Sequence, residues 1–217
     1  MPPSLNESEI VLDGGREMLI ERFAPERVGP APAVVLLHGA DGLNYRGPAY
    51  RAMARHLASR GLRVYLPHYF DRSAIPGRAS FSRPADFLGW LDSVSETLGL
   101  AGDGPTGLVG VSLGGYLALA AAGRDERVGA VVVICGGMPA ILTGGFTRMP
   151  PVLILHGDDD RVVPPSEART VADWLTKRNT PHELVLYPGE GHHLTDAAAA
   201  DALRRTTAFL QQHLEPV

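Results

Sequence analysis

Thr106-Gly107-Leu108-Val109-Gly110-Val111-Ser112-Leu113-Gly114-Gly115-Tyr116-Leu117-Ala118-Leu119-Ala120-Ala121-Ala122 sets an apolar strand, a tight turn and a helix in direct succession. Its first six residues form a short apolar run suited to a buried strand. Leu113 to Ala122 reads as a helix, and Ser112 stands alone between the two. Gly110-Val111-Ser112-Leu113-Gly114 fits G-x-S-x-G, a strand-to-helix turn so tight that the serine hydroxyl projects into open space. Neighbouring backbone passes close on both sides, which is why the flanking positions carry no side chain. The helix that starts here aims unpaired N–H groups and a positive dipole end at the same place, an arrangement suited to an oxyanion.

On both sides of this stretch, apolar runs alternate with helical patterns. Ala33–Leu37 is a continuous apolar run, as in a parallel strand covered on both faces. It opens into the small-residue loop His38-Gly39-Ala40-Asp41-Gly42. A helix is expected over Pro48 to Arg60, with Tyr50, Met53, Ala54 and Leu57 at helical spacing, closed by Gly61. Leu62 to Leu66 follows as a strand, then the irregular stretch Pro67 to Ser82, then a helix over Pro84 to Leu98. After the central stretch come strands at Val128 to Ile134, Val152 to Leu155 and Glu183 to Tyr187, and helices at Glu167 to Lys177 and Thr195 to Leu214. Glu9 to Leu12 and Glu17 to Phe23 flank Asp13-Gly14-Gly15 and read as a hairpin. The expectation is one α/β domain over 1–217, with a mostly parallel sheet, helices on both faces and an antiparallel edge within 1–32.

Bulk properties narrow the function. The chain has 217 residues, 45% hydrophobic and 20% charged, with a net charge of −4 and no Lys/Arg run. That balance argues against nucleic acid or an anionic membrane surface as partner. The single cysteine, Cys135, allows no intrachain disulfide and fits a reducing compartment. No signal-peptide pattern is visible in the first residues and no apolar run approaches a membrane span, so a cytoplasmic protein is expected.

In sheets of this kind the chemistry sits beyond the carboxyl ends of the strands. A serine there needs a base, usually a histidine held by a carboxylate. The loop after Leu155 offers His156-Gly157-Asp158-Asp159-Asp160-Arg161-Val162-Val163-Pro164, and the loop after Tyr187 offers Pro188-Gly189-Glu190-Gly191-His192-His193. On residue type alone any of Asp158, Asp159 and Asp160 could be the acid, and His192 or His193 the base. His156 reads as a structural, hydrogen-bonding histidine. A metal site is the weaker reading, since neither H-E-x-x-H nor paired-Cys spacing is present.

With these motifs in order, the chain resembles the dienelactone hydrolase branch of the α/β-hydrolases. That branch shows H-G-x-x-D-x-x-V-P around the acid and Y-x-G-x-x-H around the base, and both match here without gaps from His156 and from Tyr187. The resemblance implies an α/β-hydrolase fold, a triad of Ser112, Asp160 and His192, hydrolysis of small-molecule ester or lactone bonds, and no cofactor; the connection Gly136 to Pro150 is too short for a large lid domain. It also implies an oxyanion hole made by the backbone N–H groups of Leu113 and Ala40. Asp41, so near a developing anion, is expected to face away or to cap a helix. The expected pocket wall is Pro67 to Ser82, with Tyr69, Phe70, Arg72 and Phe81; Arg72 lies near the place where the family puts an arginine that meets a substrate carboxylate. Two departures favour a serine carboxylesterase over a hydrolase of dienelactone itself. The family's usual nucleophile is Cys, and an acidic residue beside its oxyanion loop has no match at Gly39. Three alternatives stay open: a dienelactone hydrolase proper, a peptidase or acyl transferase (without the propeller that oligopeptidases carry), and a non-catalytic ligand-binding homologue. Cys135 ends a buried strand and is read as packing.

Overall fold

The computed structural model describes residues 5–13, 16–26, 29–73, 84–102, 104–138, 146 and 148–214; of 5–13, 16 and 84 it describes the backbone alone. Strands β1 (Leu5–Asp13), β2 (Arg16–Phe23), β3 (Ala33–Leu37), β4 (Arg63–Pro67), β5 (Thr106–Val111), β6 (Val128–Ile134), β7 (Val152–Gly157) and β8 (His182–Tyr187) form one sheet in the order β1-β2-β4-β3-β5-β6-β7-β8. β1 and β2 pair antiparallel, β2 pairs antiparallel with β4, and every pairing from β4 to β8 is parallel.

The apolar runs are continuous because both faces of the central strands are covered. Along β3, Ala33, Val35 and Leu37 pack with one buried cluster and Val34 and Leu36 with another. The first cluster takes in residues of α2 (Pro84–Ala101), α3 (Leu113–Ala122) and α4 (Pro165–Thr176). The second takes in residues of α1 (Gly42–Ser59) and α5 (Asp196–His213). Successive strand side chains point to opposite faces, so every residue of β3 is buried.

β3, β5, β6 and α3 have the expected limits. α1 does not: it begins at Gly42, and Pro48 lies inside it. The expectation followed the apolar spacing from Tyr50 to Leu57, whereas the helix runs a turn and a half further back and takes Pro48 into its interior, where proline gives up one helical N–H and its ring crowds the carbonyl four residues before it. The earlier start puts Arg46 on a helix beside the loop after β3.

Candidate active site

Ser112 sits between β5 and α3 with φ 52° and ψ −117°, a backbone region that costs of order 1–3 kcal/mol for a residue with a side chain. Two glycines make the turn possible. A Cβ on Gly110 would collide with the backbone of Gly114 and Gly115, and one on Gly114 with the carbonyls of Leu37 and His38. The serine therefore stands at the point where β3, β5 and α3 meet most closely.

His192, in the loop after β8, comes to it. Ser112 Oγ lies 3.1 Å from His192 Nε2, and His192 Nδ1 lies 2.7 Å from Asp160 Oδ2. Because a carboxylate only accepts, Nδ1 carries the proton and Nε2 is left to accept from the serine hydroxyl. Asp160 is almost fully buried, and its other oxygen accepts from the amides of Val162 and Val163, each at 2.9 Å. Burial pushes its carboxyl up. The hydrogen bonds from His192, Val163 and Val162 and the imidazole's charge outweigh that, and the group ends below the usual carboxylate value. The loop bearing His192 is anchored in turn by Glu190, which accepts from the N–H and the hydroxyl of Thr195, the N-cap of α5.

The neighbouring candidates have other partners. Asp158 accepts from the Gly189 amide at 2.6 Å and ties two loops together; Asp159 pairs with exposed Arg161. His193 lines the cleft beside His192 and makes neither contact of the relay. Its pKa is lowered, by burial first and by the charge of Arg46 next. His156 is buried, donates to the Val163 carbonyl at 2.9 Å and stands 3.3 Å from Asp160, so it braces the acid's loop. Cys135, at φ 48°, is buried with its thiol pushed up to about 11, and it comes within 4.8 Å of ligand atoms of Asp160 and His192. Each ring nitrogen of His192 already makes a hydrogen bond, so a metal on that trio would have to displace one of them.

The chain matches the model of the dienelactone hydrolase family over residues 21–214. It belongs to that family. Membership makes this dienelactone hydrolase relative a hydrolase of ester bonds by family, on an α/β-hydrolase sheet. Among solved structures it is similar to a putative dienelactone hydrolase from Klebsiella pneumoniae, at 20% identity and TM-score 0.78, covering 95% of this chain and 98% of that one. It is also similar to esterase PE8, at 23% identity and TM-score 0.71, covering 89% and 97%. Acyl-coenzyme A thioesterase 1 of Mus musculus is 30% identical over 139 residues, 62% of this chain. The chain spans only 31% of that relative's length.

The cleft holding Ser112 and His192 has a volume of about 340 Å³. Ala40 lines it, and Leu113 takes the first position of α3, where an N–H has no carbonyl partner within the helix. The rest of the lining differs from expectation. Tyr69 and Phe70 are buried around His38, Tyr69 stacked on its ring at 4.0 Å and Phe70 edge-on at 4.6 Å. Arg72 is buried and its guanidinium forms a two-pronged pair with Glu96 of α2, at 2.9 and 2.7 Å. These three residues build the wall's interior and do not line the cleft. The expectation failed because a loop arginine and loop aromatics carry no sequence mark of which way they face. Phe81 lies outside the described residues.

The lining that was missed comes largely from α1: Arg46, Ala49, Tyr50 and Met53, opposite Val111 and Val162. Positions 46, 49, 50 and 53 share one helical face, a spacing the sequence holds once the helix is started at Gly42. Asp41 takes the N-cap position of α1 without a side-chain cap bond, and pairs loosely with Arg46 at 3.4 Å. No helix among the described residues is long and apolar enough to cross a membrane.

Proposed function

We propose that this protein is a serine hydrolase of small to medium carboxylic esters or lactones, acting through Ser112, His192 and Asp160 and an acyl-enzyme. The observation that carries the reading is the unbroken relay from Ser112 Oγ to His192 Nε2 at 3.1 Å and from His192 Nδ1 to Asp160 at 2.7 Å.

The chemistry follows from that order. Ser112 Oγ attacks the ester carbonyl while Nε2 takes its proton. Asp160 holds Nδ1–H and stabilises the imidazolium that forms. The carbonyl oxygen becomes an anion, met by the N–H groups of Leu113 and Ala40. Collapse expels the alkoxide, which takes the proton back from Nε2, and the acyl group stays on Ser112. Water then repeats the sequence, giving its proton to Nε2 and its oxygen to the acid product. The scheme calls on no metal or cofactor, and its partner is a small molecule. A reducing, cytoplasmic setting suits the lone buried thiol of Cys135.

The cleft favours a modest acyl group, with Ala49, Met53, Val111 and Val162 as its apolar lining. Its charged lining is Arg46 and Asp41, with the His193 imidazole beside them. Among the described residues Arg46 lines the cleft and is held only by the loose 3.4 Å pair to Asp41, whereas Arg72 is tied to Glu96 away from it, so Arg46, and not Arg72, is the cation positioned to meet an anionic substituent. Thioesters are the second substrate class, supported by the similarity to the rodent thioesterase over 139 residues.

The test is a panel of esters, lactones and thioesters of graded size and charge, run beside labelling with a fluorophosphonate. Turnover with the label on Ser112 is expected. Ser112→Ala should lower kcat by at least ~10³-fold with the thermal midpoint unchanged, since only binding and the oxyanion donors remain. A label on another residue, or a variant within tenfold of the parent, would overturn the assignment.

A further inference from the structure

A backbone N–H stabilises a developing anion only if it is aimed before the reaction begins. Ala40 lies in a loop, between the end of β3 and the N-cap of α1, where no strand or helix ladder aims it. Its aim must come from the hydrogen bonds that hold the loop's own peptide units.

The loop's first peptide unit carries the His38 carbonyl and the Gly39 N–H, which point in opposite directions because the bond is trans. Two tyrosine hydroxyls grip the two ends. Tyr69 donates to the His38 carbonyl, and the Gly39 N–H donates to the Tyr50 hydroxyl at 2.7 Å. The next unit carries the Gly39 carbonyl and the Ala40 N–H. Its carbonyl accepts from the Gly42 N–H at 3.0 Å and from His38 Nδ1 at 2.8 Å. The Ala40 N–H is thereby turned the opposite way.

The two hydroxyls reach the loop from different elements. Tyr50 comes from α1, and Tyr69 from the 3-10 turn Tyr69–Arg72 that follows β4. Tyr69 is fully buried and Tyr50 nearly so. Gly39 keeps the spacing close: a Cβ there would stand 3.3 Å from the Tyr50 hydroxyl and 3.4 Å from Ser112 Cβ. One small residue thus separates the Tyr50 hydroxyl from the serine.

We propose that Tyr50 and Tyr69 are positioning residues of the oxyanion hole, holding one peptide unit from both ends so that the Ala40 N–H meets the anion forming at Ser112. The inference rests on the hydrolase reading above. Neither hydroxyl is asked to exchange a proton with substrate. Their effect is on the transition state, where the anion exists, and not on binding of the neutral ester.

The experiment compares the parent with Tyr50→Phe and Tyr69→Phe, each of which removes one hydroxyl and keeps the ring. Active sites are counted by the burst from a p-nitrophenyl ester, so that kcat refers to folded, reactive enzyme. Each variant should lose about 10- to 100-fold in kcat per titrated site, less than the ~10²–10³-fold of deleting a donor outright, with KM within about twofold. Affinity for an aryl boronic acid, which forms a tetrahedral anion on the serine, should fall by the same factor as kcat. A merely structural role would lower the thermal midpoint and leave kcat per site and boronate affinity alone. That result, or a loss confined to KM, overturns the proposal while the hydrolase reading stands. If Tyr69→Phe does not fold, Tyr50→Phe decides alone. A parent with neither turnover nor labelling overturns both.

Discussion

Asp160→Asn probes the relay most sharply, because the structure dictates how the amide must sit. Two backbone N–H groups, from Val162 and Val163, point at Oδ1 from 2.9 Å. The amide oxygen has to take that position, since an NH2 there would face two donors. The NH2 then takes the place of Oδ2, 2.7 Å from His192 Nδ1. A donor facing Nδ1 selects the tautomer with the proton on Nε2, and that nitrogen can no longer accept from Ser112. Reaching the productive tautomer means losing a charge-assisted hydrogen bond, worth ~1.5–3 kcal/mol, and setting two buried donors against each other, at ~1–3 kcal/mol apiece. Together these come to roughly 3.5–9 kcal/mol, a loss of at least about 400-fold and at most about 10⁶-fold in kcat. The measurement is kcat for a p-nitrophenyl ester, with thermal melting alongside. Both backbone bonds to Oδ1 survive the change, so the fold should persist. A folded Asp160→Asn enzyme within tenfold of the parent would refute the reasoning, because it would mean that the acid does not set the histidine's tautomer.

Three further outcomes follow from particular side chains. Arg46→Met should raise KM for a carboxylate-bearing ester by roughly ten- to a hundredfold while leaving a neutral ester of the same size unchanged, and equal changes on both would assign Arg46 a structural role. Burial lowers His38 to about 4, against 6.5 when unfolded; the unfolded chain binds the extra proton between those values, so stability is complete above 6.5 and falls by up to ~3 kcal/mol as pH drops to 4, and urea melts should show His38→Gln losing part of the parent's slope in this window. Glu21 is held at about 2 against 4.5: burial pushes it up, and its bonds to His68 and Arg51 overcome that. Its stabilisation is complete above 4.5 and lost as pH falls towards 2, so Glu21→Gln should flatten the acid limb of the same melts below pH 4.5 and leave the limb above it intact.

Much of this protein was legible before any coordinates. Continuous apolar runs at β3, β5, β6 and β7, too short for helices, read as strands covered on both faces, and the helical spacing between them supplied the layers that cover them. The turn at Ser112 was legible for a steric reason: Gly110 and Gly114 have no substitutes where backbone passes so close. Spacing also marked Asp160 and His192, because motifs after successive parallel strands converge at one edge of the sheet. What spacing could not supply was facing. Asp158, Asp159 and Asp160 are one residue type in a row, and only the packed loops send one to His192, one to the Gly189 amide and one to Arg161. Arg72 and Arg46 are each a cation in a region near the site by sequence. Tertiary packing closes Glu96 over the first and leaves the second in the cleft, because burial is a property of what else arrives and not of the residue itself. The tyrosine grip on the His38–Gly39 peptide was equally unreadable: Tyr50 and Tyr69 lie 11 and 31 residues from their partners, and only the folded sheet brings both hydroxyls to one peptide bond.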